Sequence, residues 1–508
     1  MSELETKRAL ATRMKILLIS TYELGRQPFG LASPAAWLRT RGHEVAAADL
    51  TRESLDESLV RGAGLIALYV PMHTATRLAA RLLQKIRALN PGAHVCFYGL
   101  YAPVNEQYLR GLGVDTILGG EFEAGLASLA ERLEIASRQS GQSEKSSGEG
   151  HGKGFAGQPE PVISLARQKF LQPDRSGMPP PGQYARVVMP GGEERIAGST
   201  EATRGCKHLC RHCPIVPVYN GAFRVVDRDV VLADIRQQVV AGARHITFGD
   251  PDFLNGPAHS LAIVEAMHRE FPDLTYDATI KIEHLRKHDA LLPALRDTGC
   301  LFITSAVESV DDRVLDKFDK GHTRADFLAV VARFHELGMT LLPTFVPFTP
   351  WTTLDGYLDL LDVIAEQGLC ENVAPVQLAI RLLIPAGSRL LELQEVSALV
   401  GPFDSAALVF AWKHEDARVD ALAREISAVV QRGESLKLSR TDIFSHVRGA
   451  AHAAAGKRWQ NGNGATARKS APVPYLNEAW YCCAEPTEDQ FISIGTASDC
   501  VARADQFV

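Results

Sequence analysis

The chain has 508 residues, a formal net charge of −6 and nine cysteines. At about 150 residues per domain this length predicts two or three domains, each able to bury a core of ordinary size. The composition excludes a basic nucleic-acid surface, and no apolar run is long enough to span a membrane. The cysteines are too unevenly spaced for a disulfide framework. Glu3, Glu5, Lys7 and Arg8 precede the first apolar run, which does not read as a signal peptide. A reducing cytoplasm is the expected location, with neither a membrane nor a nucleic acid as partner.

Residues 1–135 are expected to form a doubly wound, Rossmann-like domain. Strands are predicted at Lys15–Ser20, His43–Ala48, Leu65–Val70, Ala93–Tyr98 and Val114–Leu118, with helices over Ala35–Arg41 and Thr76–Leu89. Residues 136–195 read as linker and connector. Ser137 to Gly157 holds almost no large apolar residue, and Met178–Gly182 is a stiffer, proline-rich joint. Between 196 and 395 the alternation resumes. Strands are predicted at His245–Phe248, Leu274–Ile280, Leu301–Ser305, Leu341–Phe345 and Val376–Arg381. Helices are predicted over Val230–Ala241, His259–Glu270, Ala290–Thr298, Arg324–Leu337 and Leu354–Gln367. With one more strand ahead of Cys206 this makes a partial (β/α)6 barrel, whose chemistry collects at the C-terminal strand ends. Residues 396–508 form a mostly helical tail domain with a helix over Ala417–Gln431 and a flexible joint at Asn461–Lys469. The whole is an α/β protein.

The sharpest motif is Cys206-Lys-His-Leu-Cys210-Arg-His-Cys213. Three thiolates spaced Cys-x3-Cys-x2-Cys suit a cluster that takes four ligands, leaving one iron open. The alternative is structural zinc, with His208 or His212 completing a tetrahedron, although no second cysteine pair follows.

This spacing is similar to that of the radical S-adenosylmethionine (SAM) enzymes, in which a 4Fe–4S cluster holds SAM at its open iron. The resemblance implies that cluster on Cys206, Cys210 and Cys213, SAM as cosubstrate, and a flavodoxin- or ferredoxin-type electron donor. It also assigns the strand ends. Gly249, Asp250 and Asp252 stand where the family has a turn meeting the SAM amino group. Lys281 and Glu283 are candidates for the SAM carboxylate or substrate. Ser305 and Glu308 match a segment reaching the ribose, followed by the family-like Lys320-Gly-His-Thr323. Arg381 is a candidate for the carboxylate or adenine end. Each has a plain structural alternative: a turn, an ion pair, an exposed acid, a core-edge arginine.

Arg41-Gly-His-Glu-Val45 and Gly119-Gly-Glu-Phe-Glu123 resemble the cobalamin-binding-type domain preceding many radical SAM cores. Its cobalt-ligating Asp-x-His-x-x-Gly pattern is absent, the chain reading Ser20-Thr-Tyr-Glu-Leu-Gly25 there. Cobalamin held without that histidine, and a domain with no cofactor, both stay open. The tail Trp480-Tyr-Cys482-Cys483-Ala-Glu-Pro486, taken with the cluster loop, resembles the CUAEP/CCAEP-tail radical SAM proteins. Relatives of that kind occur in arsinothricin pathways. The resemblance implies that Cys482 and Cys483, with Cys500 as a third thiolate, present arsenite to a SAM-derived 3-amino-3-carboxypropyl group. A cobalamin-dependent radical methylase or related biosynthetic enzyme is the alternative. A non-catalytic iron–sulfur or metalloid sensor is the second. Cys96, Cys300 and Cys370 lie on or beside regular elements and read as core.

Overall fold

In a computed structural model of the chain, the residues described are 14–143, 159–458 and 471–478. They fall into two compact units, residues 14–23 with 27–179 and residues 24–26 with 180–478.

The first unit is a parallel sheet. Its strands are β1 (Lys15–Ser20), β2 (Glu44–Asp49), β3 (Leu65–Tyr69), β4 (His94–Tyr98), β5 (Thr116–Gly120) and β6 (Ile163–Ser164). They run in the order β2-β1-β3-β4-β5-β6, every pair parallel. Helices α1 (Phe29–Thr40), α2 (His73–Leu89) and α3 (Phe122–Ser143) are its principal connections. A sheet covered on both faces needs near-continuous apolar strands, and β3 is buried at all five positions. Leu18, Leu31, Leu65, Tyr98 and Leu126 form its core. The sixth strand was not legible in the sequence. Gly120, at φ +71°, lets it approach so closely that a Cβ would sit 2.3 Å from the Ser164 carbonyl oxygen. α3 runs past Ser137, so the first residues of the expected linker are helical; residues 144–158 lie outside the described residues.

In the second unit a seven-stranded sheet comprises β7 (Arg186–Val188), β8 (Glu194–Thr200), β11 (His245–Phe248), β12 (Thr275–Thr279), β13 (Cys300–Glu308), β14 (Thr340–Phe345) and β17 (Tyr475–Leu476). The small hairpins β9–β10 (Thr203–Gly205, Phe223–Val225) and β15–β16 (Phe403–Asp404, Val409–Phe410) stand apart from it. The order is β14-β13-β12-β11-β8-β7-β17. The five strands from β8 to β14 are parallel, and β7 and β17 form an antiparallel edge. Helices α4 (Arg228–Val240), α5 (Pro257–Glu270), α6 (Ile282–Lys287) and α7 (Arg324–Leu337) lie on the connections between the parallel strands, α8 (Leu354–Glu366) follows β14, and α9 (Ala417–Ser435) packs on α10 (Arg440–Ala454). Among the described residues no helix is long and apolar enough to cross a membrane.

The expected partial barrel is present, with one difference. Val376–Arg381 is not a strand: Pro375–Leu378 is a 3-10 turn, and a single parallel bridge joins Phe348 to Arg381. Pro375 brings no N–H, and the Gln377 side chain, not a neighbouring backbone, accepts from the Phe345 amide at 3.1 Å.

Candidate active site

The cysteine loop leaves the C-terminal end of β8 through β9. At Gly205 the backbone takes φ +74°, and a Cβ would meet the Tyr219 ring at 2.4 Å and the Ala222 carbonyl at 2.6 Å. Cys206 and Cys210 are buried and Cys213 half-buried. Burial pushes the Cys206 thiol up to about 11 and that of Cys213 to about 12. Each therefore stays protonated at neutral pH until a metal displaces the proton.

Asp250, 2 % exposed, anchors the loop. It accepts from the Ala202 amide at 2.9 Å and from the amide and hydroxyl of Thr203, the latter at 2.6 Å. Burial pushes its carboxyl up to about 7. Gly249 donates its amide to the Thr200 carbonyl at 2.8 Å, tying β11's end to β8's.

Two ionic networks flank the thiols. In the first, Asp252 Oδ2 lies 2.6 Å from His284 Nδ1 and 3.5 Å from His208 Nε2. The two imidazoles meet at 3.2 Å, and His208 Nδ1 is 3.4 Å from Glu283. Burial alone would raise the Asp252 carboxyl, but hydrogen bonds from His208 and His284 hold it below the ordinary range. Lys281, almost fully buried, places Nζ 3.6 Å from Cys210 Sγ and 3.3 Å from Glu283. The second network closes on Glu308, in the left-handed region at φ +69°. Its Oε1 accepts from Lys320 at 3.2 Å and lies 3.1 Å from His212 Nε2. Against burial, Lys320 and His212 lower its carboxyl to about 2. Lys320 in turn feels Cys210 and Cys213.

The residues fit an iron–sulfur cluster. Three thiolates gathered in a buried site need compensating positive charge, and Lys281 and Lys320 supply it. His208 and His212, which a zinc site would draw on, are engaged by carboxylates. Cys206, His208 and Asp252 do offer ligand atoms within 4.8 Å of one another, the alternative metal grouping among the described residues. The site also holds orphaned polar atoms, as a small-molecule pocket would. Both ring nitrogens of His322 are buried without a hydrogen-bond partner among the described residues; Ser305 Oγ is buried likewise, but Ser305 alternates on β13 with Phe302 and Thr304 and so faces away from the barrel interior that they line. Burial, with Lys320 and Lys281 nearby, lowers His322 to about 4, so its ring is neutral.

Arg381 is placed elsewhere. Its guanidinium stacks on Trp412 at 3.6 Å and bonds Asp420 at 2.6 Å and the Trp412 carbonyl at 3.0 Å. Cys96 and Cys300 are buried and Cys370 half-buried. Cys482, Cys483 and Cys500 lie outside the described residues. The histidine–carboxylate pairings escape sequence reasoning because they join different strand ends. The phrase Lys320-Gly-His-Thr323 was the one local signal for Lys320 and His322.

Gly205→Ala is expected to cut iron incorporation during anaerobic reconstitution about tenfold or more. Both the backbone angle and the Ala222 carbonyl oppose the new methyl. Wild-type iron and sulfide content in that variant would show that the loop does not depend on this turn.

Residues 200–361 match the family model described as the radical SAM superfamily. Among curated proteins, the bacteriochlorophyllide d C-12(1)-methyltransferase of Chlorobaculum tepidum is 27% identical over 149 residues, 28% of this chain and 32% of that protein. The hopanoid C-3 methylase of Methylococcus capsulatus is 23% identical over 222 residues, 39% and 42% of the two chains. The chain thus matches less than half the length of these relatives. Among solved structures, the cobalamin-dependent SAM radical enzyme OxsB superposes with TM-score 0.68 at 14% identity, covering 89% of this chain and 73% of that one. The radical SAM methyltransferase TsrM from Kitasatospora setae, solved with tryptophan and a SAM analogue, gives 0.55 at 16% identity, covering 76% and 77%. The fold is that of these proteins, and the family match over residues 200–361 is to the radical SAM superfamily.

Proposed function

We propose that this chain is a group-transferring radical SAM enzyme of the cobalamin-dependent methyltransferase kind, acting on a small molecule. The observation that carries the reading is the convergence of three thiols, two buried lysines and the orphaned His322 ring at the C-terminal ends of one parallel half-barrel. Cys206, Cys210 and Cys213 would hold a 4Fe–4S cluster. When bound, the cluster and SAM supply reductive cleavage of a carbon–sulfur bond, and cobalamin supplies a methyl carrier.

The chain's own groups have separable tasks. Lys281 and Lys320 balance the thiolate charge, and Lys281 donates toward the Cys210 sulfur. Asp250 fixes the entry to the loop. His322 and Glu308 would present hydrogen-bonding atoms to SAM; Gly249, Asp252 and Glu283 would complete the wall. In the first unit, the strands' carboxyl edge at the β1/β3 switch point is where such a sheet holds a ligand. Ser20 Oγ is buried there without a partner among the described residues, which suits cobalamin. No histidine lies between β1 and α1, so cobalamin would be held without a ligand from that segment. A flavodoxin- or ferredoxin-type protein in the cytoplasm would bring the electron.

A finer reading rests on the adjacent Cys482 and Cys483, a pair suited to trivalent arsenic. There the acceptor is arsenite, a carbon–arsenic bond forms as the carbon–sulfur bond to the aminocarboxypropyl group breaks, and methylthioadenosine leaves. One assay separates the readings. The protein is reconstituted anaerobically, reduced, and given SAM with and without cobalamin and arsenite; products are identified by mass spectrometry. Cluster-dependent SAM cleavage with cobalamin retained is the expected result. Methylthioadenosine with a new arsenic–carbon compound would favour the finer reading. An intact cluster with no cleavage would overturn the enzymatic reading in favour of a sensor.

A further inference from the structure

Inside the half-barrel of the second unit lies a cavity of about 510 Å³, walled by β13, β14, β17, the Asn372–Gln377 segment and the junction of α9 and α10. Phe302, Leu342, Ile443 and Leu476 give it an apolar body. Its wall at Pro343 and Thr344 is in register with Ser305 and Ala306, two to three residues before Glu308, so it reaches toward the carboxyl ends of the strands.

The telling residue is Arg440. Its guanidinium lies over the Tyr475 ring at 4.1 Å, and Nη1 donates to the Glu371 carbonyl at 2.7 Å. Among the described residues it forms no direct ion pair; the Glu371 carboxylate, held by the Thr441 hydroxyl, acts on it only at longer range. A half-buried guanidinium facing a cavity is ordinarily matched by an anion. Lys437 lines the same cavity and adds a second positive charge. Two acids, Glu434 and Glu478, line it as well. The lining thus pairs both signs of charge with an apolar floor.

We infer that this cavity binds the substrate, and that the substrate is amino-acid-like: a carboxylate on Arg440, an ammonium facing the acids, and an apolar or aromatic side chain on Phe302 and Leu476. This rests on the radical SAM reading for the word substrate, but the binding site stands on its own geometry.

The test is calorimetry on the full-length reconstituted chain. The probes are L-tryptophan and L-leucine, each beside its decarboxylated amine, tryptamine and isoamylamine. The expected result is that at least one amino acid binds, that its amine binds about tenfold or more weakly, and that Arg440→Met weakens the amino acid by about tenfold to a hundredfold while leaving the amine unaffected. Because Arg440 also ties α10 to Glu371, Lys437→Ala serves as the exposed second variant, with a several-fold loss expected. Binding of neither amino acid, or binding indifferent to both variants, would overturn the inference. SAM cleavage by the wild type without probe is read separately. Cleavage without binding sinks the cavity assignment alone, and binding without cleavage sinks the enzymatic reading alone.

Discussion

Cys206→Ala, Cys210→Ala and Cys213→Ala should each abolish the 4Fe–4S absorption after reconstitution and drop SAM cleavage to background, while His208→Ala and His212→Ala should keep the cluster. Removing one of three thiolates leaves two, too few to hold a cluster of this kind. The imidazoles are committed differently. His208 lies between Asp252 and Glu283, and His212 sits on Glu308 with its ring centroid 4.4 Å from that of Phe318, the rings tilted by 30°. Losing a supporting group of that sort costs about tenfold to a hundredfold in metal affinity, which excess iron overcomes. The His208 variant carries the discriminating power, because Cys206, His208 and Asp252 also form a metal-sized grouping. If His208→Ala loses its metal as fully as Cys206→Ala while Cys213→Ala keeps it, the site is a single-ion site and the cluster assignment fails. Iron, zinc and sulfide analysis of the five variants decides the matter.

The strands were legible because burial on both faces leaves a simple record of short apolar runs. His245–Phe248 and the helix Arg324–Leu337 match their expected limits. Thr323 and Asp326 form a capping box at that helix's start, and Gly338 takes φ +64° at its end, so both signals were local. Val376–Arg381 failed for the complementary reason. Its alternation is strand-like, but what the segment does is decided by Gln377 capping the Phe345 amide and by Arg381 turning to Trp412 and Asp420. Neither partner is near in sequence. The helix at Arg440–Ala454 was available and went unread. Ser439 with Asp442 makes its cap, and Ile443, Val447 and Ala451 fall at helical spacing. Missing it hid Arg440 and with it the cavity. At the thiols, residue types were legible from motif spacing, whereas the pairings His208–His284–Asp252 and His212–Glu308–Lys320 exist only once separate strand ends meet.

That last trio sets the second large effect. Lys320→Met should destabilise the second unit by about 3–5 kcal/mol at pH 7.5, the range for breaking a buried pair by removing one partner. Lys320 is 3 % exposed and Glu308 8 %. With the ammonium gone, Glu308 keeps only His212 against its burial. In the wild type the Glu308 carboxyl sits at about 2 against an ordinary 4.5. Its stabilising contribution, about 3 kcal/mol, is therefore complete above pH 4.5 and lost as pH falls through about 2. In the variant the sign reverses. Burial lifts the folded-state carboxyl above the unfolded one, so charged Glu308 is a liability at neutral pH that protonation relieves. The gap between wild type and Lys320→Met should thus narrow as pH is lowered from 7.5 to 5. Adding Glu308→Gln to the variant removes the orphaned charge and should recover most of the loss at pH 7.5 without the pH dependence. Urea unfolding of the three proteins at both pH values measures all of this. A loss under about 1 kcal/mol, or one that does not respond to Glu308→Gln, would mean that Glu308 does not depend on Lys320 for its charge.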